Sequence, residues 1–421
     1  MTGHHESGMF LLPKLGPGQK KVREKIMVKR KIFLPVVLAS VALIGASNFA
    51  TAATNATVAK PFPALAAPNL TKSLTLAQAK AFVAVASGLT TKWTGPTKGP
   101  LAQKGDYTIA YVSSDQSYVS YVNWGDGVKA AANALGWKSV NFDGKGTVSG
   151  NLDAMNQAVA SNPIAIVTSA DASALQVPIQ EAVSKGIPVI GIHATAFPGP
   201  HPELGLFDEI SSDPAQIGLA QAAYVIAASG GKARQVHMLD NSYAIARFKG
   251  QAASLPTKNL KTAKFLTEIN IPVAEQNTRI PAAVTSMISK YGTKDLWVTT
   301  CCDNFYTDVA AALRSSGIKP NQVKLVGSDG PPSAYDMIRK GEFEVATVPE
   351  PSTLFGYQAV DAVVHAMAGI APAVFSAPVH LVTKANVETE GGKSNQYIPS
   401  NGFACQYTNI WLGIKTACKV G

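Results

Sequence analysis

The sequence predicts an α/β fold built on parallel sheets, and two observations carry that reading. From Asp106 onward, short continuously apolar runs alternate with stretches whose apolar residues recur at helical spacing. Strands apolar on both faces belong to sheets that helices cover on both sides. The chain from Ala53 to Gly421 is also long enough for two domains of ordinary size.

Leu74 to Val85 is the first periodic stretch, with Leu76, Ala79 and Phe82 on one helical face. It lies in a leader, residues 53–104, rich in Ala, Pro, Thr and Lys, which reads as a segment packed on the surface of a following domain. Tyr107 to Val112 is the first strand; Val128, Ala131, Ala132 and Leu135 then mark a helix stopped by Gly136. Ile164 to Val167 is a strand. Leu175, Ile179 and Val183 mark a helix closed by Gly186, and Ile187 to Ile192 is the next strand. Further strands fall at Val236 to Leu239, Leu296 to Thr299 and Val323 to Val326. Val309 with Leu313 is one helix face, and Val360, Val363, Val364 and Met367 form another. In such sheets ligands bind beyond the carboxyl ends of the strands. That rule singles out Ser113 to Trp124, His193 to Phe197, Asp240 to Arg247, Cys301 to Asn304, and Ser328-Asp329-Gly330.

At the other extreme of the chain, Lys29, Arg30 and Lys31 precede an apolar run from Ile32 to Ile44 and the small-residue site Ala50-Thr51-Ala52. That order is the pattern of a cleavable export signal, residues 27–52, and it implies a periplasmic or otherwise extracytoplasmic protein. The apolar run is shorter than the roughly 20 residues a membrane span needs. Residues 1–26 match no part of a signal, so they read as a non-native or mis-assigned extension ahead of a start at Met27. Residues 1–52 hold eight basic and two acidic residues, so their removal lowers the formal charge from +10 to +4. The remaining Lys and Arg are spread along the chain, which excludes a nucleic-acid surface.

Cys405 and Cys418 are spaced to close a C-terminal loop, and a bridge between them is expected in an exported chain. Cys301 and Cys302 are neighbours; a bond between them strains the intervening peptide, so they read as two thiols at a strand end. No His stands at zinc-ligand spacing from either pair, so no metal is expected. The chain lacks a nucleophile elbow and a phosphate-cradling loop with Lys, and the reading is of a non-enzyme without a cofactor.

Six segments in order carry a family resemblance. They are Thr108-Ile109-Ala110-Tyr111-Val112 with Asp126-Gly127-Val128; Gly186 to Ile190; Ser212-Asp213 with Gly218; Arg247-Phe248-Lys249-Gly250; Val326 to Gly330; and Ala346-Thr347-Val348. Over about residues 105–385 the chain resembles the ribose/galactose-binding family of periplasmic binding proteins. The resemblance implies two Rossmann-like lobes with parallel sheets and three crossing hinge segments, the type I periplasmic binding protein arrangement. One lobe would comprise residues 105–212 and 351–377, the other 213–349 and 378–421. A small polar solute, a sugar first of all, would be held in the cleft between them. Lobe closure would present it to the permease of an ABC importer, a separate chain, with the binding protein acting as a monomer.

The implied site transfers residue by residue. Arg247 matches the family arginine that donates to the solute ring oxygens, and Asp329 matches the carboxylate that accepts from adjacent hydroxyls. Glu350 falls where the family often has glutamine, His193 where it has aspartate, and Cys302 where asparagine is common, with Asp303 in step with a family aspartate. A sugar shows hydroxyls at its edge and C–H groups on its faces, so it suits planar Arg, paired carboxylates and aromatic plates. Tyr118, Tyr121 and Trp124, spaced by three, supply either such plates or core anchors. His193, Cys302 and Glu350 depart from the family pattern and leave a polyol, a nucleoside or a small carboxylated molecule as alternative solutes. A sensory receptor is the alternative role. A sugar-responsive repressor would need an N-terminal helix-turn-helix where this chain has its export signal.

Overall fold

The computed structural model describes residues 74–391 and 394–420. The expectations for residues 1–52, the export signal included, lie outside the described residues, as does the leader before Leu74.

α1 (Leu76–Ala86) opens with a capping box in which Thr75 and Gln78 exchange side-chain and backbone hydrogen bonds. The first lobe follows: β1 (Thr108–Ser113), α2 (Val119–Ala134), β2 (Lys138–Asp143), α3 (Val148–Ala160), β3 (Ala165–Thr168), α4 (Gln176–Ser184), β4 (Val189–Ile192) and β5 (Leu206–Ile210). Its five strands pair in parallel in the order β2-β1-β3-β4-β5. The second lobe holds α5 (Pro214–Ala228), β6 (Arg234–Leu239), α6 (Ala244–Asn259), β7 (Lys264–Asn270), α7 (Gln276–Tyr291) and β8 (Leu296–Thr300). It continues with α8 (Phe305–Ser315), β9 (Val323–Asp329), α9 (Pro332–Lys340) and β10 (Glu344–Pro349). The chain then returns as α10 (Ser352–Met367), which packs on α2, before β11 (Val382–Thr383), α11 (Val387–Glu390) and α12 (Phe403–Leu412). The second sheet runs β11-β10-β9-β8-β6-β7, all parallel except the β10–β11 pair.

The expected α/β class and strand–helix alternation are present, and the central strands β1, β3, β4 and β8 are the apolar runs read above, buried along most of their length. The sequence reading passed over β2, β5, β7, β10 and β11. β2 and β7 lie at sheet edges and leave much of their length exposed or half-buried, so they lack the continuous apolar signal. Asp208 and Glu209 in β5 and Glu344 in β10 interrupt it in buried strands.

The chain passes between lobes at 211–213, 350–351 and 377–379, and the leader and tail add two further passages. α1 packs on α5 of the second lobe, whereas Trp93 packs against Phe375 and Tyr407 in the first lobe's core. The tail corrects the expected boundary. β11 pairs with the second sheet, but α12 leaves that lobe and buries Phe403, Tyr407 and Trp411 in the first. Their i, i+4, i+8 spacing makes one apolar stripe that needs a core, and the Trp411 indole N–H also donates to Asp361 at 2.8 Å. A Cys405–Cys418 disulfide, with Cα atoms 5.5 Å apart, ties the last residues to α12.

α5 and α6 approach each other closely at Gly218, where a Cβ would come 2.2 Å from the Lys249 carbonyl oxygen. This contact sets the height of Lys249 against the second sheet.

Candidate functional site

The loop after β1 delivers the aromatic residues. Tyr118 stands at the start of α2, and spacing of three puts Tyr121 and Trp124 on the same side of the helix. The rings meet edge to face, 6.1 Å apart for Tyr118–Tyr121 and 5.2 Å for Tyr121–Trp124. Trp124 then stacks on His193 at 4.8 Å, with planes only 10° apart. Tyr118 is exposed and Trp124 buried, so the ladder descends from the surface to the passage between the lobes.

His193 follows β4 with φ of +58°, a left-handed conformation unusual for a non-glycine residue. Glu209 on β5, missed by the sequence reading, holds this turn by accepting from the Ala194 backbone N–H at 3.2 Å, while the His193 N–H donates to the Ile210 carbonyl. The imidazole Nε2 lies 2.9 Å from Glu350 Oε2, out of line for a hydrogen bond but close enough for an ion pair. Burial alone would raise the Glu350 carboxyl; the neighbouring His193 and Lys249 outweigh it and hold the group below the usual carboxylate range.

The second lobe contributes Lys249 and Asp329, whose Nζ and Oδ1 are 2.8 Å apart. Lys249 Nζ also reaches the Cys301 carbonyl at 3.3 Å. Burial would depress the Lys249 ammonium, but Asp329 and Glu350 together keep its pKa above the usual value. Asp329, the second strained non-glycine residue of the site, has φ of +89°, and Gly330 follows at +69°. That turn rests on Asp303, whose Oδ2 accepts from Gly330 N at 2.9 Å and from Thr347 Oγ1 at 2.6 Å. Burial first, and Asp329 second, push the Asp303 carboxyl up to about 7. A Cβ at Gly327 would lie 1.2 Å from Asp303 Oδ1, so only glycine fits there.

The two walls approach each other. Phe197 of the first lobe and Phe248 of the second have ring centroids 4.5 Å apart at the rim. Burial raises the Tyr121 phenol, and the nearby Tyr243 and Asp329 of the opposite lobe raise it further. Tyr243 is raised in turn by burial, then by Asp240 and Tyr118.

Of the residues named from sequence, Tyr118, Tyr121, Trp124, His193, Asp329 and Glu350 gather about this crevice, with Cys302 half-buried nearby. Asp303 is fully buried beneath the Gly330 turn and acts on Asp329 instead of facing the crevice. Arg247 is exposed, its guanidinium donating to the carbonyls of Asn241 and Ser242 in its own turn at 2.7 and 3.2 Å. The buried cation is Lys249, two residues on. A helical wheel carries the signal for it: Ala246, Lys249, Gly250 and Ala253 share the buried face of α6, and Arg247 does not.

Several buried polar atoms here lack a protein partner among the described residues. They include Nε1 of Trp124, whose ring stacks on His193, and Oε1 of Glu350, whose other oxygen lies 2.9 Å from His193 Nε2. Native proteins leave few such atoms, and those that remain commonly await water or a ligand. The combined set offers an indole donor, an ammonium, carboxylate acceptors and flat apolar rings.

A family model described as periplasmic binding protein domain matches residues 109–371. Among solved structures, the chain is similar to a periplasmic ribose ABC transporter protein of Conexibacter woesei, with 20% identity and a TM-score of 0.60 over 70% of this chain and 97% of that one. It is also similar to an ABC transporter solute-binding protein of Agrobacterium vitis with bound allitol, at 18% identity and TM-score 0.58 over 68% and 98%. A third is an ABC sugar transporter subunit of Rhodobacter sphaeroides, at 19% and 0.57 over 66% and 99%. No curated protein matches the chain.

Proposed function

We propose that this chain, which belongs to the periplasmic binding protein domain family, captures a small polyhydroxylated solute, a sugar or polyol, in the crevice between its lobes. The solute would then pass to a membrane permease of an ABC importer. The observation that carries the reading is the pair of unpartnered buried atoms around His193, the Trp124 indole N–H and the second Glu350 oxygen. A hydroxyl both donates and accepts, so one hydroxyl-bearing ring satisfies the two at once. The aromatic ladder supplies plates for its C–H faces.

Charge favours hydroxyl donors over a carboxylated solute. Asp329 and Glu350 already engage Lys249 and His193, and no buried cation in this crevice is left over among the described residues to receive another carboxylate. Solved structures similar to this chain include sugar and polyol binders by their titles, with allitol and tagatopyranose among the bound molecules. Contacts from both walls favour the closed arrangement and shift a population that already interconverts.

Thermal-shift and calorimetric titration of the chain against D-ribose, D-tagatose, allitol, nucleosides and dicarboxylates tests the proposal. A sugar or polyol should raise the melting temperature in proportion to occupancy, and Glu350→Gln should weaken its binding about tenfold, the size of a lost charge-assisted hydrogen bond. Binding confined to nucleosides or acids, or unaffected by Glu350→Gln, overturns it.

A further inference from the structure

Cys301 and Cys302 close β8 at the second-lobe wall, with Sγ atoms 3.3 Å apart. Both are free thiols, Cys301 buried and Cys302 half-buried. Tyr118 of one wall and Tyr243 of the other both lie within electrostatic reach of Cys302. The chain's other two cysteines are already bonded, as suits an oxidising compartment.

From this geometry we infer that Cys301 and Cys302 are a redox-active vicinal dithiol that exchanges with small-molecule or protein disulfides to form a disulfide between adjacent residues. The sulfur of Cys302, the less buried of the two, attacks the disulfide R–S–S–R, although its hydrogen bond with Cys301 and burial hold that thiol well above its usual pKa. Its proton leaves with the departing thiol, and a mixed disulfide Cys302–S–S–R forms. Cys301 thiolate then attacks the Cys302 sulfur and expels the second RS⁻, which takes up the Cys301 proton from solvent. The net change is two cysteine thiols oxidised and one R–S–S–R reduced to two R–SH. The sulfurs must close from 3.3 Å to about 2.0 Å, a shift of side-chain torsions together with the peptide between them.

Two surroundings favour the resolving step. The Cys301 thiol is held below its usual pKa, first by the Cys302 hydrogen bond and, against burial, by the backbone beside Asp240 and the Lys249 ammonium. In the mixed disulfide the Cys302 hydrogen bond is gone, and the backbone beside Asp240 and the Lys249 ammonium are what remain to support the Cys301 thiolate against burial. The same atoms link the pair to the crevice. The Cys301 carbonyl accepts from Ser328 Oγ at 2.6 Å and from Lys249 Nζ at 3.3 Å. Turning the 301–302 peptide therefore disturbs the anchor of the cation that pairs with Asp329.

The inference holds whatever solute the crevice takes, and its test needs none. The reduced chain is incubated with oxidised glutathione, quenched with iodoacetamide, and its peptides weighed. The peptide containing residues 301 and 302 should lose two hydrogens, carry no glutathione and resist alkylation. Cys301→Ser should instead accumulate a stable glutathione adduct on Cys302, because no resolving thiol remains. Melting curves of that variant and of Cys302→Ser confirm that each is folded. Full alkylation of both residues after equilibration in the parent chain, or a persistent glutathione adduct there, overturns the inference.

Discussion

Lys249 Nζ sits 2.8 Å from Asp329 Oδ1 with its side chain almost wholly buried, and this pair ties α6 to the end of β9. Glu350 lies within electrostatic reach of the same ammonium, so one cation answers two carboxylates. Lys249→Met should therefore lower stability by about 3–5 kcal/mol, the cost of stranding buried charge, and abolish solute binding. Arg247→Ala, which removes only exposed bonds to the residue's own turn, should change stability by less than about 0.5 kcal/mol. Urea denaturation of the two variants checks both values.

Trp124→Phe separates binding from folding. The ring stack on His193 survives, while the indole N–H that has no protein partner disappears. The melting temperature should fall slightly, because the smaller ring leaves a gap at a buried site, and solute affinity should fall about fivefold, the value of roughly 1 kcal/mol for one hydrogen bond. Calorimetric titration beside a thermal melt reads the two effects separately.

Asp303 gives stability an inverted pH dependence. Burial raises its carboxyl to about 7 in the folded chain, against about 4 when unfolded, so the folded state binds more protons between those values. Its contribution is fully present below pH about 4 and is lost as pH climbs through about 7. Asp208, pushed up to about 8 by burial, acts in the same direction. Stability measured from pH 4 to 8 should fall on this account, and Asp303→Asn should flatten the slope.

Removing the Cys405–Cys418 bond by a double Ser substitution should destabilise the chain by about 2–4 kcal/mol on the usual loop-closure scale. The loss should be seen first as weakened protection of α12 amides in hydrogen exchange, since the bridge holds the tail to that helix.

How much was legible follows from burial. Most central strands declared themselves because both faces are covered; β2 and β7, at the edges, did not, nor did the buried β10, whose sequence sets Glu344 and Thr347 among its apolar residues. The ladder of Tyr118, Tyr121 and Trp124 could be read from its spacing of three, and Asp329 from its Gly-Ser-Asp-Gly turn. Lys249 was masked by Arg247, the residue matched by family analogy, although the helical phase of α6 favours the lysine. Glu209 gave no local signal at all, because its partner is a backbone N–H 15 residues earlier, brought alongside only by the β4–β5 pairing.

The outermost helices of the described chain grip opposite halves: α1 lies on the second lobe and α12 on the first. Dyes placed near residues 76 and 412 would thus ride on different rigid bodies, and the energy transfer between them would follow opening and shutting without any probe inside the crevice. The same threading makes the ends part of the moving machinery, so trimming either one alters how freely the halves swing.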